Sequence, residues 1–266
     1  MGSGHAYLTV VDWPGSFGHR QRVESLVAAV GLDPCDAEQR VVKPTPLVAA
    51  RMAGAAAHSA ADVLHRMGVT AFVLSEEEID AAAAPVRLKR LEPAVGAARP
   101  MCLCEPWRAE PFGLICDDLF LIVRATLRTE RAGQPMMESR GMIAGPFEPM
   151  SVVKTAESRT THVMDLWLKD RRRLRIDGEK FNFEGLGDAR GHSDLVNCDR
   201  LALILARSAP RALIDTAFER FSAPPGVLRT SGRRIGLDGR TFRQDGPLFE
   251  FYSVWAEAMY RRMAVG

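Results

Sequence analysis

The chain has 266 residues, 47% of them hydrophobic, with 35 Lys and Arg against 33 Asp and Glu for a formal net charge of +2. That length exceeds the roughly 100–200 residues of a typical domain, and the apolar content suffices for a core in each of two parts. The near-neutral balance excludes a general attraction for nucleic acid or an anionic membrane, so such a role needs a local patch.

The longest apolar runs, such as LFLIV and LALILA, fall far below the roughly 18 residues needed to cross a bilayer. The start, MGSGHAYL, holds no basic segment followed by an apolar core. A soluble, cytoplasmic chain with no membrane span is expected. Cys35, Cys102, Cys104, Cys116 and Cys198 make an odd, scattered set, which points to reduced thiols rather than a disulfide framework. Cys102 and Cys104 form a CxC pair, but a zinc knuckle spaces its cysteines by two to four residues and needs a second pair. The expectation for MCLCEPW is a strand with both thiols on one apolar face, with no metal and no other cofactor.

In chain order, AYLTVV from Ala6 to Val11 is a short apolar run closed by Asp12, Pro14 and Gly15, a strand entering a turn. Val23, Leu26, Val27 and Val30 then share one face of a helix that Gly31 stops. Asp33 is an N-cap with Pro34 at the first helical position of a second, short helix that runs to Lys43, before Pro44 and Pro46. Leu47 and Val48 lead into a spacer, then the helix SAADVLHRMG closes at Gly68 and the strand VTAFVLS follows. The predicted order is strand, helix, helix, helix, strand.

With VGLDPCDAEQRVVKPTPL and ADVLHRMGVTAFVLS, residues 6–75 resemble the C-terminal domain of the bacterial ribosomal stalk protein and the related Clp protease adaptor fold. The resemblance implies a small α/β sandwich with a protein-binding role. The stalk family recruits translation factors through a lysine-bearing helix; the matching helix here reads DPCDAEQR, with acids where lysines belong, so factor binding is not implied.

The boundary between two domains falls in EEEIDAAAAPVRLKRL, which divides the chain into residues 1–80, 85–222 and a tail 223–266. Beyond it the period changes from helical to extended in VRLKRL, MCLC and ICDDLFLIVRATLRTE. Residues 131–160 show no sustained period and read as a long loop. THVMDLWLKD and RRLRIDGEKFNFEGL give the strongest strand signals, a hairpin turning at Asp170 to Arg172, with EKFNFEGL as a further strand. Ser193 caps a helix that Pro210 splits in two. This succession over residues 86–221, through ICDDLFLIVRATL and DLWLKDRRRLRID to FNF, resembles a pleckstrin-homology-like domain at the level of architecture. The fold class expected is therefore α+β, a small α/β sandwich followed by a β-rich domain capped by helices.

Lys169, Arg171, Arg172, Arg173 and Arg175 form a basic hairpin suited to phosphate on a lipid, nucleic acid or other ligand. Asp165, Asp177, His192 and Asp194 carry the side chains a hydrolase or metal site needs, but no HExxH, GxSxG, P-loop or Rossmann spacing accompanies them. Gly185, Gly187 and Gly191 lie between a strand and a helix without the lysine of a phosphate loop. The last segment, LFEFYSVWAEAMYRRM, puts Leu248, Tyr252, Trp255 and Met259 on one helical stripe, suited to the core or to docking a partner. The expectation is a non-enzymatic binding or adaptor protein whose partner is a protein or peptide, with no catalytic residues assigned. Convergence of His192 with the three aspartates in one cleft is the feature that would favour an enzyme.

Overall fold

The computed structural model describes residues 4–93, 99–131, 157–221, 233–235 and 241–265. Strand β1 (His5–Asp12) is buried on both faces: Leu8 and Val10 point one way, Tyr7 and Thr9 the other. Helix α1 (His19–Val30) follows and ends where Gly31 takes φ 72°, a left-handed value that favours glycine. Helix α2 (Pro34–Val41) starts on the expected cap, with the Asp33 carboxylate accepting from the Cys35 N–H. Strand β2 (Leu47–Ala53), helix α3 (Gly54–Arg66) and strand β3 (Thr70–Ser75) complete an antiparallel sheet in the order β2-β1-β3. Leu47 and Val48 therefore open a strand rather than a spacer. LVAARMA has little β-propensity, and its extended form comes from pairing with β1, from His5 opposite Ala53 to Val10 opposite Leu47.

Ser75 caps the short helix α4 (Glu76–Asp80): its hydroxyl accepts from the Glu78 N–H while the Glu78 carboxylate accepts from the Ser75 N–H. The second sheet contains β4 (Val86–Pro93), β5 (Met101–Pro106), β6 (Phe112–Ile115), β7 (Leu119–Arg131), β8 (Glu157–Leu168) and β9 (Arg173–Asp177). Its order is β11-β12-β7-β8-β9-β4-β5-β6, with β10 (Leu213–Asp215) beside β7 and with β11 (Arg233–Ile235) and β12 (Thr241–Gln244) from the tail. Helix α5 (Asp194–Ser208) begins on the Ser193 cap, and α6 (Gly246–Val265) closes the chain. The protein is thus a mixed α+β fold with two sheets among the described residues.

Three local expectations need correction. EKFNFEGL is not a strand: it turns into a 3-10 helix, Phe183–Ala189, touching the sheet at Asn182 opposite Arg90. Phe181 and Phe183 instead meet edge to face at 4.9 Å in the core. Pro210 ends α5 without starting another α-helix; the parallel strand β10 and a 3-10 turn, Ala217–Arg220, follow. Residues 157–160 belong to β8, while most of the expected loop lies outside the described residues.

The layers run helices, sheet, helix, sheet, helix. One face of the first sheet packs on α1, α2 and α3 around Leu8, Leu26 and Leu64. One face of the second packs under α5 around Ile122, Met164, Leu166 and Leu201. Between the inner faces of the two sheets lies α6, whose Tyr252, Trp255 and Met259 are fully buried against Tyr7, Leu74, Leu121 and Trp167. Each such large side chain contributes roughly 1.5–3 kcal/mol by leaving water. The indole N–H of Trp255 donates to the Thr9 hydroxyl at 2.8 Å, and that of Trp167 to the Ser253 hydroxyl at 3.0 Å. Arg262 ties the far end of α6 to the Val73 carbonyl, and Arg261 reaches the Leu168 carbonyl at 2.8 Å. The helix thereby bonds to both sheets.

Candidate functional site

The alternation of β8 puts Met164, Leu166 and Leu168 in the core under α5 and turns Asp165 toward α6. Opposite Asp165 in register stands Arg175, with Arg173 two residues before it on the same face. The Asp165 carboxylate is fully buried and accepts from Arg173 Nε at 2.9 Å and from Arg175 Nε and Nη2 at 2.7 and 2.8 Å. Both guanidiniums also bond Glu250 on α6. Burial alone would raise the Asp165 pKa, but the two arginines together hold it below the usual carboxylate range. Burial likewise opposes the charge on Arg175, and Asp165 and Glu250 outweigh it and hold the pKa above its ordinary value.

The basic hairpin is therefore divided. Lys169, Arg171 and Arg172 occupy the outer turn, where Arg171 takes φ 68° and Arg172 pairs with Asp170. Arg173 and Arg175 point inward with their charges matched. The five basic residues do not form one surface.

The carboxylates considered for catalysis are divided as well. Asp165 belongs to the α6 network, while Asp177 and Asp194 lie near Cys198 at the start of α5. A side chain added at Gly178 would stand 3.2 Å from Cys198 Sγ and 3.4 Å from Asp194 Cβ. His192 is exposed in the preceding loop. Burial pushes the Cys198 thiol up to about 12, which leaves it protonated and a poor nucleophile. Beside it is a hollow of about 190 Å³ lined by Arg124, Thr126, His162, Asp199 and Glu219, with Arg124 and Asp199 paired. Among the described residues no group of three or more His, Cys, Asp or Glu is placed to hold a metal ion. The glycine-rich turn is close packing: a side chain at Gly185 would come 2.4 Å from the Leu91 carbonyl, and Gly191 N–H donates to Asn197 Oδ1 at 2.6 Å.

The stripe read as a docking face is taken up within the chain. Tyr252, Trp255 and Met259 lie between the sheets with Leu248 partly buried beside them, and the Tyr252 hydroxyl donates to Asp215 Oδ1 at 2.8 Å. What the seam leaves open is a cleft of about 640 Å³ where the end of α4, the Ala82–Pro85 segment and the first turns of α6 meet. Its apolar floor comes from Ile79, Phe251 and Val254, and its polar groups from Glu76, Asp80, Arg87, Arg173 and Glu250. The Glu76 carboxylate is held in place by Arg51 Nε at 2.6 Å and by the Tyr7 hydroxyl at 3.3 Å, and Tyr7 leans edge-on against Phe251 with ring centres 4.9 Å apart. Glu250, half-exposed, joins the cleft to the buried arginine pair.

A second hollow of about 730 Å³ shares Pro85 and Arg87 with the first and extends past Val86 to Trp107, Arg108 and Lys180. Trp107 is 52% exposed, fixed through its backbone N–H to the Arg87 carbonyl at 3.1 Å. Both hollows have the size of a small-ligand pocket or a peptide groove. Neither was legible beforehand: the wall combines residues 7, 76–87, 106–109, 173–180 and 247–254, which only the fold assembles. The one local signal in the sequence is Trp107 itself, set between Pro106 and Arg108.

Set against protein-family models, curated proteins and solved structures, the chain finds no match in any of the three. Its functional reading therefore rests on the seam itself. No helix among the described residues is long and apolar enough to cross a membrane.

Proposed function

We propose that this chain is a non-enzymatic binding protein that recognises a protein or peptide segment in the cleft at the seam of its two sheets. The observation that carries the reading is the open cleft of about 640 Å³ with an apolar floor, rimmed by fixed groups of both charge signs, where α4 meets α6. Such a mixture suits a peptide, which presents apolar side chains and backbone polar groups together. The separation of Asp165, bound in the α6 network, from Asp177 and Asp194 near Cys198 favours binding over hydrolysis.

The same proposal takes the first unit as ribosomal-stalk-like and the second as pleckstrin-homology-like. The helix pair between β1 and β2 and the final α3–β3 step support the former; a largely antiparallel sheet, with parallel pairs at β4–β9 and β7–β10, packed under α5 supports the latter. A cytoplasmic setting is part of the reading and is supported by the odd, scattered cysteines.

The test is selection from a random peptide display library with the full chain as bait, followed by titration of synthetic copies of the selected peptides. Ala84→Trp, at an exposed position on the cleft wall, fills the space without touching the core. Its expected effect is at least a tenfold weaker affinity, about 1.4 kcal/mol, at an unchanged melting temperature. Peptides that bind Ala84→Trp as well as the parent chain would place recognition elsewhere and defeat the proposal.

A further inference from the structure

From the hollow around Trp107 we infer the class of peptide: a segment with an apolar stretch for the seam cleft and acidic residues beside it for Arg87, Arg108 and Lys180. The inference rests on the seam reading and deepens it. Among the described residues the lining of the second hollow holds no acidic side chain, whereas three cations and one exposed indole line it. Arg87 and Arg108 have no ion pair among the described residues, and Lys180 has only a long one, 3.7 Å to Asp177. Unpaired guanidiniums beside an aromatic face form a site for carboxylates, each arginine offering a planar fork to a carboxylate while the indole covers adjoining carbon.

Continuity decides between a peptide and a nucleic acid. Pro85 and Arg87 belong to both hollows, so an extended occupant passes from one to the other. In the seam cleft it meets the carboxylates of Glu76, Asp80 and Glu250, and it meets one exposed aromatic, Trp107, in the second hollow. A polyphosphate strand would lay charge against those acids and, among the described residues, find no row of stacking platforms. A peptide changes character along its length and satisfies both hollows.

The experiment uses three fluorescent peptides of equal length, each with the same leucine- and phenylalanine-rich centre and flanks of Glu, Gln or Lys, titrated against the full chain. The expected affinity order is Glu, then Gln, then Lys, with the Glu peptide weakened by added salt. Arg87→Glu with Arg108→Glu, both at exposed positions, weakens the Glu peptide about tenfold and improves the Lys peptide, without lowering the melting temperature. Trp107→Ala weakens the Glu and Gln peptides alike.

Equal affinity for all three peptides, with sensitivity to Ala84→Trp retained, overturns the acidic assignment and leaves the seam reading intact. Binding of none of them, together with failure of the peptide selection, overturns both. Tighter, Trp107-dependent binding of a labelled oligothymidylate than of the Glu peptide overturns the inference in favour of a nucleic acid.

Discussion

Replacing Asp165 by Asn should be among the most damaging single polar changes in the molecule. The carboxylate is fully buried and accepts three hydrogen bonds from Arg173 and Arg175, which are themselves 3% and 7% exposed. An asparagine there keeps the volume but removes the charge, and its amide N–H groups face guanidinium donors. Glu250 remains as the other anion, but it is half-exposed and held from the α6 side. Removing one partner of a buried ion network costs about 3–5 kcal/mol. At roughly 2–4 °C per kcal/mol for a chain of this size, that is a fall of about 6–20 °C in melting temperature.

The assay is thermal and urea unfolding of the parent chain, Asp165→Asn and Glu250→Gln. The second variant should lose no more than about 1–2 kcal/mol, because water solvates the exposed side of that carboxylate. The sign of the pH dependence follows from the direction of the Asp165 shift. Its folded pKa lies below the ordinary unfolded value of about 3.9, so its contribution is complete above about pH 5 and disappears as pH falls through the folded value. Asp165→Asn should therefore flatten part of the acid limb of the stability curve. A cost below about 1 kcal/mol, or an unchanged acid limb, would refute the account of the network as a matched buried cluster.

Trp255→Ala should cost about 3–5 kcal/mol, since it empties the space between the sheets and leaves the Thr9 hydroxyl without its indole donor; urea titration checks it. Ser75→Ala should cost about 1 kcal/mol by removing the cap of α4, and Ser75→Asp should restore most of it, by the same measurement. A thiol reagent at pH 8 should label the exposed Cys35 quickly. Cys104 and Cys198, whose thiols burial pushes up to about 12, should react only in denaturant, as peptide mass spectrometry will show.

How far the sequence announced this structure depends on how local each determinant is. The Asp33, Ser193 and Ser75 caps and the stop at Gly31 act within a few residues, so local chemistry exposes those of α1, α2 and α5 directly. The alternation of Val163, Asp165 and Trp167 against Met164, Leu166 and Leu168 was equally plain in β8. Its consequence was not, because the partners of Asp165 sit 8 and 10 residues away on β9, and their shared acid, Glu250, about 75 residues further on α6. Strand β2 escaped notice because an alanine-rich stretch carries no pattern of its own. For α6 the stripe was visible and its occupant was not. A helix inserted between two sheets looks, in sequence, the same as one awaiting a partner. The seam cleft inherits that difficulty, since its walls come from segments scattered along the chain.

The most direct test of the central claim is hydrogen exchange of the full chain with and without a saturating selected peptide. The account predicts added protection in residues 76–87, around Trp107 and in the first turns of α6, with little change in α1, α2 and α5. Protection confined to α5 or to the outer turn at Lys169 to Arg172, with residues 76–87 unchanged, would contradict it.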